Sequence, residues 1–329
     1  MTATLRLAPA VVGARMLGVG SYQPEQVVTN HDLAKIIDTD DEWIRSRVGI
    51  ISRRVAAPDE LLVEMATAAA ALAIADAGLD SSDIDTVIVA TCTMPSPMPN
   101  AAAQVATALG INGVGAFDVN AACAGFTYAL AIGADLVRAG SATHVVVVGA
   151  EKFTDWVDPT DRSTAIIFAD GAGAAVIGPA TEHHGPGIGP VAWGSSGDMA
   201  EVISIADRAS FVQQEGQTVF RWATTKIAPV ALQAIEQAGL QPADVDVLIP
   251  HQANLRILQA IARALGKAGA RQDMVLARDI VHSGNTSAAS IPLALDHLRA
   301  EKAVHSGDVA LLVGFGAGLC FAAQVVLLP

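Results

Sequence analysis

The chain echoes itself, and that feature constrains its fold more than any other. Ala77-Gly78-Leu79 precedes Asp83-Ile84-Asp85 and the apolar run Val87–Ala90. Ala238-Gly239-Leu240 likewise precedes Asp244-Val245-Asp246 and the run Val247–Ile249. Each copy reads as a helix ending at glycine, a short turn and a buried strand. Two more pairs recur: Ser141–Gly149 (SATHVVVVG) with Ser306–Gly314 (SGDVALLVG), and Asn120–Leu130 (NAACAGFTYAL) with Asn285–Leu295 (NTSAASIPLAL). Chance accounts for any single pair among Ala- and Val-rich segments. Three pairs in one order, at offsets of about 161 to 165 residues, indicate duplication.

Each copy alternates helical segments with short β-branched runs. That pattern predicts an α/β fold whose central strands are largely parallel. The two halves are residues 1–180 and 181–329, joined at the breaker-rich Glu182-His183-His184-Gly185-Pro186-Gly187. With 329 residues, 52% of them hydrophobic, the chain can bury one large core or two fused ones. Equivalent segments of two similar halves meet on a pseudo-two-fold axis. The repeat therefore predicts that the Cys123 and Asn285 segments face each other at the junction, a common place for a site.

Composition excludes several classes. The net charge of −13 argues against a nucleic-acid partner, which needs a basic face. An acidic protein partner would need a local basic patch. The longest apolar runs, around Val145–Val148 and Val309–Gly314, fall well short of the roughly 20 residues that cross a bilayer. An apolar patch at Pro9–Val12 is flanked closely by Arg6 and Arg15 and reads as the approach to a first strand over Ala14–Gly20, not as a signal peptide. Three cysteines make no disulfide framework, so the cytoplasm is the expected compartment. No metal site is expected, because the adjacent His183-His184 pair lacks partners at ligand spacing.

Cys123 is the candidate nucleophile. Asp118-Val119-Asn120-Ala121-Ala122-Cys123-Ala124-Gly125-Phe126 runs from a strand into a helix, and small neighbours allow a sharp turn and close substrate approach. A helix N-terminus favours the thiolate and predicts a lowered pKa. A thiolate is a natural acceptor for an acyl group from another thioester. Most free cysteines are buried small hydrophobes, and Cys92 and Cys320 are read that way.

Two further residues fit thioester chemistry. His251 follows a buried strand in Ile249-Pro250-His251-Gln252-Ala253-Asn254, and Asn285 lies in Val281-His282-Ser283-Gly284-Asn285-Thr286. Decarboxylating a malonyl thioester leaves an enolate whose oxygen needs two donors. Histidine Nε2–H and an amide NH2 provide them without net charge. The other histidines (His31, His144, His183, His184, His297, His305) read as structural. Gly314-Phe315-Gly316-Ala317-Gly318, after the last buried strand, suits a main-chain oxyanion hole. No βαβ unit follows it, so it is not read as a nucleotide loop.

These segments resemble β-ketoacyl-acyl carrier protein synthase III of the thiolase superfamily, in its actinobacterial form. The resemblance rests on ACAGF at 122–126, PHQANLR at 250–256 and GNTSAAS at 284–290, and on DEWI at 41–44, DPTDR at 158–162 and FGAG at 315–318. It covers essentially the whole chain. It implies a thiolase-like, five-layered αβαβα fold, a homodimer and a two-step reaction. In that reaction an acyl-CoA primer acylates Cys123, and malonyl-carrier protein then loses CO2 and attacks to give a 3-oxoacyl product. No cofactor is implied, since acyl-CoA is a substrate.

The resemblance assigns His251 and Asn285 to decarboxylation and enolate binding, and the backbone of Cys123 and Ala317 to the acyl oxyanion hole. It implies that Trp43 and Arg162 sandwich the CoA adenine, with Thr39 and Arg47 nearby. Arg221, Arg256 and Arg263 fall where the family places its basic patch for the acidic carrier protein. Ala264 follows Arg263 where some members pair basic residues, and Lys226 and Lys267 are candidate supplements. Met98 matches an acyl-pocket position contributed across the dimer. Methionine is pliable there, which suggests a primer larger than acetyl.

The same residues serve a starter-unit synthase of a polyketide pathway. Acyl transfer to oxygen without condensation would leave Asn285 without a role. A non-catalytic carrier-protein scaffold would not need Cys123, His251 and Asn285 together.

Overall fold

The computed structural model describes residues 13–181 and 184–329. Pro9–Val12, Arg6 and His183 lie outside the described residues. In chain order the first half runs β1 (Ala14–Tyr22), the ribbon strands β2 (Gln26–Thr29) and β3 (Ser52–Val55), then β4 (Thr86–Ala90), β5 (Gly115–Val119), β6 (Val145–Lys152) and β7 (Asp170–Pro179). The second half runs β8 (Ile188–Ser195), the ribbon β9 (Ile203–Ser204) and β10 (Gln213–Gln214), then β11 (Val247–Pro250), β12 (Val275–Leu276), β13 (Val309–Gly316) and β14 (Cys320–Leu327).

The sheet orders are β1-β7-β6-β4-β5 and β12-β11-β13-β14-β8. Read from the opposite end, the first sheet matches the second strand for strand. The directions also match: β4 is parallel to β5 and β6, while β7 and β1 are antiparallel additions. In the second sheet β11 is parallel to β12 and β13, with β14 and β8 antiparallel. The expected parallel pairing holds for three adjacent strands at one end of each sheet; β7 and β14 are the reversed strands, each antiparallel to both of its neighbours. Only Ala317–Leu319 separates β13 from β14, far too few residues for a parallel crossover.

Helices α1 (Asn30–Leu33) and α2 (Asp41–Val48) fill the excursion between β2 and β3. Helices α3 (Leu62–Asp76) and α4 (Ala101–Ala108) cover the outer face of the first sheet, packing with Val87, Val89 and Val146. Helix α5 (Gly125–Arg138) lies inside, and α6 (Arg162–Ala165) is a short turn before β7. In the second half α7 (Gly216–Gln237) and α8 (Leu255–Lys267) cover the outer face, α9 (Ile280–Ser283) is short, and α10 (Ser290–Ala300) lies inside. The central core joins Phe126 and Leu130 of α5 and Ile291 and Leu295 of α10 to strand residues of both sheets, including Val147 and Leu312. The layers are therefore αβαβα, with α5 and α10 in the middle.

Local sequence explains this stacking. Every residue of β4 is buried, as a strand covered on both faces requires. Helix α3 buries mostly alanine, so it sits close on β1. A Cβ at Gly18 or Gly20 would land on the α3 backbone near Ala77 or Ala73. No helix among the described residues is long and apolar enough to cross a membrane.

Candidate active site

Two equivalent turns meet at the centre. After β5, Asn120 Oδ1 accepts the Ala122 N–H at 3.2 Å, and Ala122 takes a left-handed φ of 45°. Cys123 follows, and α5 begins at Gly125. In the second half Asn285 Oδ1 accepts the Ser287 N–H at 2.9 Å, and Ser287 has a φ of 48° before α10. A left-handed residue with a Cβ costs on the order of 1 kcal/mol, and here each side-chain-capped turn holds one.

Glycines let the turns reach across to the opposite sheet. A Cβ on Gly149 of β6 would strike the Ala288 carbonyl, and one on Gly314 of β13 would strike Thr127 and the Ala124 backbone. At Gly316 a Cβ would lie 2.6 Å from Cys123 Cβ and 3.0 Å from its Sγ. The end of β13 thus lies against the candidate nucleophile, and Ala317 comes next.

The thiol is half-buried. Burial pushes its pKa up to about 12; the Ser287 hydroxyl opposes this, the Glu151 charge adds to it, and the N–H groups of Cys123 and Ala317 oppose it. The lowered pKa expected from the helix start is therefore overturned, because loss of solvent outweighs the helix end and its donors. The two N–H groups that touch the sulfur are those assigned from sequence to the oxyanion hole.

His251 is 2% exposed and follows β11. Its Nδ1 is held by Ser290 Oγ at 2.7 Å, and Phe315 meets the ring edge-on at a centroid distance of 5.2 Å. Burial pulls the imidazole pKa down to about 3, against a hydrogen bond to the Ser287 main chain, so the ring is neutral at ordinary pH. Asn285 is also buried, and with Oδ1 bound to the Ser287 N–H its NH2 remains for a ligand.

Cys123, His251, Asn285 and Ala317 line one cavity of about 940 Å³. Its apolar wall includes Phe153, Trp156, Ile205 and Phe315, and its exposed rim includes Arg47, Arg221 and Arg256. Trp43, on α2, is half-buried and also lines it, so it is not a core indole. The Arg162 guanidinium lies directly over the Trp43 ring at 4.6 Å and donates to the Asp38 carbonyl at 2.9 Å. Trp43 and Arg162 thus stack on each other here, and a base between them requires them to part. Thr39 and Arg162 do not themselves line the cavity.

Asn254 caps α8 and reaches the Arg47 carbonyl at 3.1 Å, tying the rim to that helix. Arg256, on the first turn of α8, sits 5.2 Å over the Phe220 ring, and Arg221 lies on the adjacent α7. Arg263 is exposed two turns further along α8, away from the rim. Lys226 lies on α7 with its ammonium 5.6 Å from the Phe321 ring. Met98 is 79% exposed and contributes nothing to its own chain's cavity.

Sequence reasoning missed Glu151, Ser287, Ser290 and the function of Phe315. It also read Cys92 as an inert core residue, whereas Cys92 lines the cavity and its thiol donates to Glu151 Oε1 at 3.3 Å. Two signals pointed there: Ser287 is the repeat partner of Ala122, and Glu151 is the lone carboxylate of a strand that is apolar up to that point.

Comparison with known proteins gives the same answer. The family described as 3-oxoacyl-[acyl-carrier-protein (ACP)] synthase III matches residues 117–197, and its C-terminal counterpart matches 235–328. The chain is 52% identical to "Beta-ketoacyl-[acyl-carrier-protein] synthase III 4" of Streptomyces coelicolor, over 96% of this chain and 99% of that protein. It is 50% identical to "Mycobacterial beta-ketoacyl-[acyl-carrier-protein] synthase III" of Mycobacterium avium, over 95% of each. Among solved structures, the priming β-ketosynthase from the R1128 polyketide biosynthetic pathway superposes with a TM-score of 0.94 at 42% identity, covering 99% of both chains. The 3-oxoacyl-[acyl-carrier-protein] synthase III of Aquifex aeolicus superposes at 0.90 and 38% identity, over 96% of this chain and all of that one. A duplicated αβαβα fold, the meeting turns and these relatives agree: the chain belongs to the 3-oxoacyl-[acyl-carrier-protein] synthase III family of thiolase-fold condensing enzymes, in its actinobacterial form.

Proposed function

We propose that this chain performs the two-step condensation of a β-ketoacyl-[acyl carrier protein] synthase III, with the following division of labour. Cys123 attacks the thioester of an acyl-CoA, and the N–H groups of Cys123 and Ala317 bind the resulting oxyanion. CoA leaves. Malonyl-carrier protein enters and loses CO2, and the enolate oxygen is held by His251 Nε2–H and the Asn285 NH2. The enolate carbon attacks the acyl-cysteine, releasing a 3-oxoacyl carrier protein.

One observation carries this reading: a nucleophile, two neutral donors and two main-chain N–H groups, drawn from both halves, line a single cavity. A neutral His251 suits the second step, because it donates without stabilising the malonyl carboxylate that must leave. Intact-mass measurement after mixing with acyl-CoA tests the first step, and a Cys123 free of any acyl adduct defeats the reading. Product formation that depends on malonyl-carrier protein tests the second.

Around that centre, Trp43, Arg47, Thr39 and Arg162 bind CoA. Arg221, Arg256 and Arg263 receive the carrier protein, a local basic surface on an acidic chain. The enzyme works as a cytoplasmic homodimer in which Met98 reaches the partner's acyl pocket; its exposure suits that placement. Kinetics with acetyl-, isobutyryl- and hexanoyl-CoA test the expected preference for a larger primer, and a strong acetyl preference defeats it.

A second reading, priming of a polyketide pathway, is favoured by the 42% identity to the R1128 priming ketosynthase. Turnover compared between malonyl-loaded carrier proteins of the fatty acid and polyketide types separates the two.

A further inference from the structure

The Cys123 proton must leave as the S–C bond forms, and burial holds that thiol above its ordinary range. Among the described residues, the only side chain that hydrogen-bonds its sulfur is Ser287, with Oγ 3.4 Å from Sγ. His251 is committed elsewhere through Nδ1, to Ser290.

Ser287 Oγ also lies 3.1 Å from Glu151 Oε1. Glu151 is fully buried at the end of β6. It accepts hydrogen bonds from Thr91 Oγ1 at 3.1 Å, from Thr93 Oγ1, and from the Cys92 N–H and thiol. Among the described residues no cation pairs with it. The adjacent Lys152 turns its ammonium away to the carbonyls of Ala57, Pro58 and Glu60. The other fully buried carboxylate, Asp170, differs: it ties the Ala56 and Thr154 main chains together and touches nothing reactive. A buried, unpaired carboxylate is expensive unless its donors hold it or its proton affinity is used.

We propose that Ser287 and Glu151 form the proton relay of the nucleophile, in which Glu151 takes the Cys123 proton during acylation and returns it during condensation. The inference rests on the acylation of Cys123 proposed above. As the Cys123 S–C bond forms, the S–H proton passes to Ser287 Oγ while the Ser287 proton passes to Glu151 Oε1. The CoA–S bond breaks, and CoA leaves as a thiolate that solvent protonates. Glu151 stays protonated beside the neutral acyl-cysteine. When the enolate attacks and Cys123 sulfide is expelled, the proton returns through Ser287 and Glu151 is again ionised. One solvent proton is consumed per cycle, which matches loss of CO2 from a malonyl carboxylate.

The electrostatics agree with transfer rather than a preformed thiolate. Burial raises the Glu151 carboxyl, and the Glu151 charge itself raises the Cys123 thiol. A standing negative charge hinders a second one beside it but assists removal of its proton. The left-handed φ of Ser287 places its hydroxyl between the two groups.

The test is single-turnover acylation of full-length enzyme, followed by quenched-flow intact mass from pH 5.5 to 9.5, with the best of acetyl-, isobutyryl- and hexanoyl-CoA. Native enzyme, Ser287→Ala and Glu151→Gln are compared. Native acylation is expected to level off through neutral pH. Both variants are expected to be about 10²–10⁴-fold slower at pH 7, the range of general-base catalysis. Their rates should rise about tenfold per pH unit and approach the native rate at alkaline pH. Ser287→Ala keeps every main-chain bond of its turn, so it carries the test alone if Glu151→Gln does not fold. Variant rates within about threefold of native, or slower rates that keep the native plateau, overturn the relay. If the native enzyme forms no adduct, the proposed function falls and the relay with it.

Discussion

The turns Asn120–Cys123 and Asn285–Ala288 are one device used twice. Both spend an asparagine oxygen on the N–H two residues ahead, and both hold a left-handed residue, Ala122 or Ser287. Both push into the opposite sheet through a glycine, Gly314 or Gly149. They differ in what they offer the cavity. The first lines it with a thiol beside the Asn120 amide; the second lines it with the Asn285 amide alone, keeps the Ser287 hydroxyl behind the lining, and has the unreactive Ala288 where the first has Cys123. Duplication therefore supplied geometry, and divergence of a few side chains set a thiol in one half and an amide beside an imidazole in the other.

Removing the thiol breaks that comparison most severely. Cys123→Ala should abolish the acyl adduct and lower condensation on the order of 10⁴-fold. CO2 release from malonyl-carrier protein should continue, because His251 and Asn285 remain. Adding Ala288→Cys should not restore acylation, since that position is buried outside the cavity lining. An acyl adduct on the relocated cysteine, seen by peptide mapping, would mean the two turns are interchangeable.

Changing the second turn should produce the complementary defect. Asn285→Asp replaces the free NH2 with an oxygen and should slow condensation about 10²–10³-fold, the cost of one oxyanion donor. Adduct formation at Cys123 should stay within a few-fold. Equal loss in both steps would show that the division of labour is wrong.

The paired glycines test the symmetry through stability. Gly149→Ala and Gly314→Ala each place a methyl group against main chain of the other half and should each cost about 1–3 kcal/mol in urea unfolding. A cost at only one position would mean that one interface has slack. At the rim, Arg256→Glu should raise KM for malonyl-carrier protein about tenfold while acylation by acyl-CoA stays within about threefold. Arg263→Glu, two turns away, should do less.

The smallest effect is on pH. His251 is neutral in the folded chain down to about pH 3, so CO2 release by Cys123→Ala enzyme should vary less than about twofold between pH 5 and 8. An inflection near 6.5 would show a charged imidazole. The same shift weakens the fold in acid. Below pH 6.5 the unfolded chain binds a proton that folded His251 refuses, so its contribution is complete above 6.5 and falls away towards pH 3.

Much of this was legible in the amino-acid order. Glycine-ended helices, apolar strand runs and the offset of about 165 residues led to the two halves and to facing Cys123 and Asn285 segments. The reversal of β7 and β14 was not legible, because hydrophobic runs are alike in parallel and antiparallel neighbours. The thiol's pKa was misjudged for a related reason. A helix start is local and readable, whereas burial by Phe315, Gly316 and the second-half turn comes from residues more than 150 positions away.

The sequence by itself determined the duplicated α/β architecture and singled out Cys123, His251 and Asn285, because periodicity, turn chemistry and short motifs are local. Only the tertiary structure decided what surrounds that cysteine. It set Ser287 between Cys123 and Glu151, stacked Arg162 on Trp43 and left Met98 exposed. Those relations depend on how closely two halves approach. That is fixed by packing at Gly149, Gly314 and Gly316 and by the buried charge enclosed there.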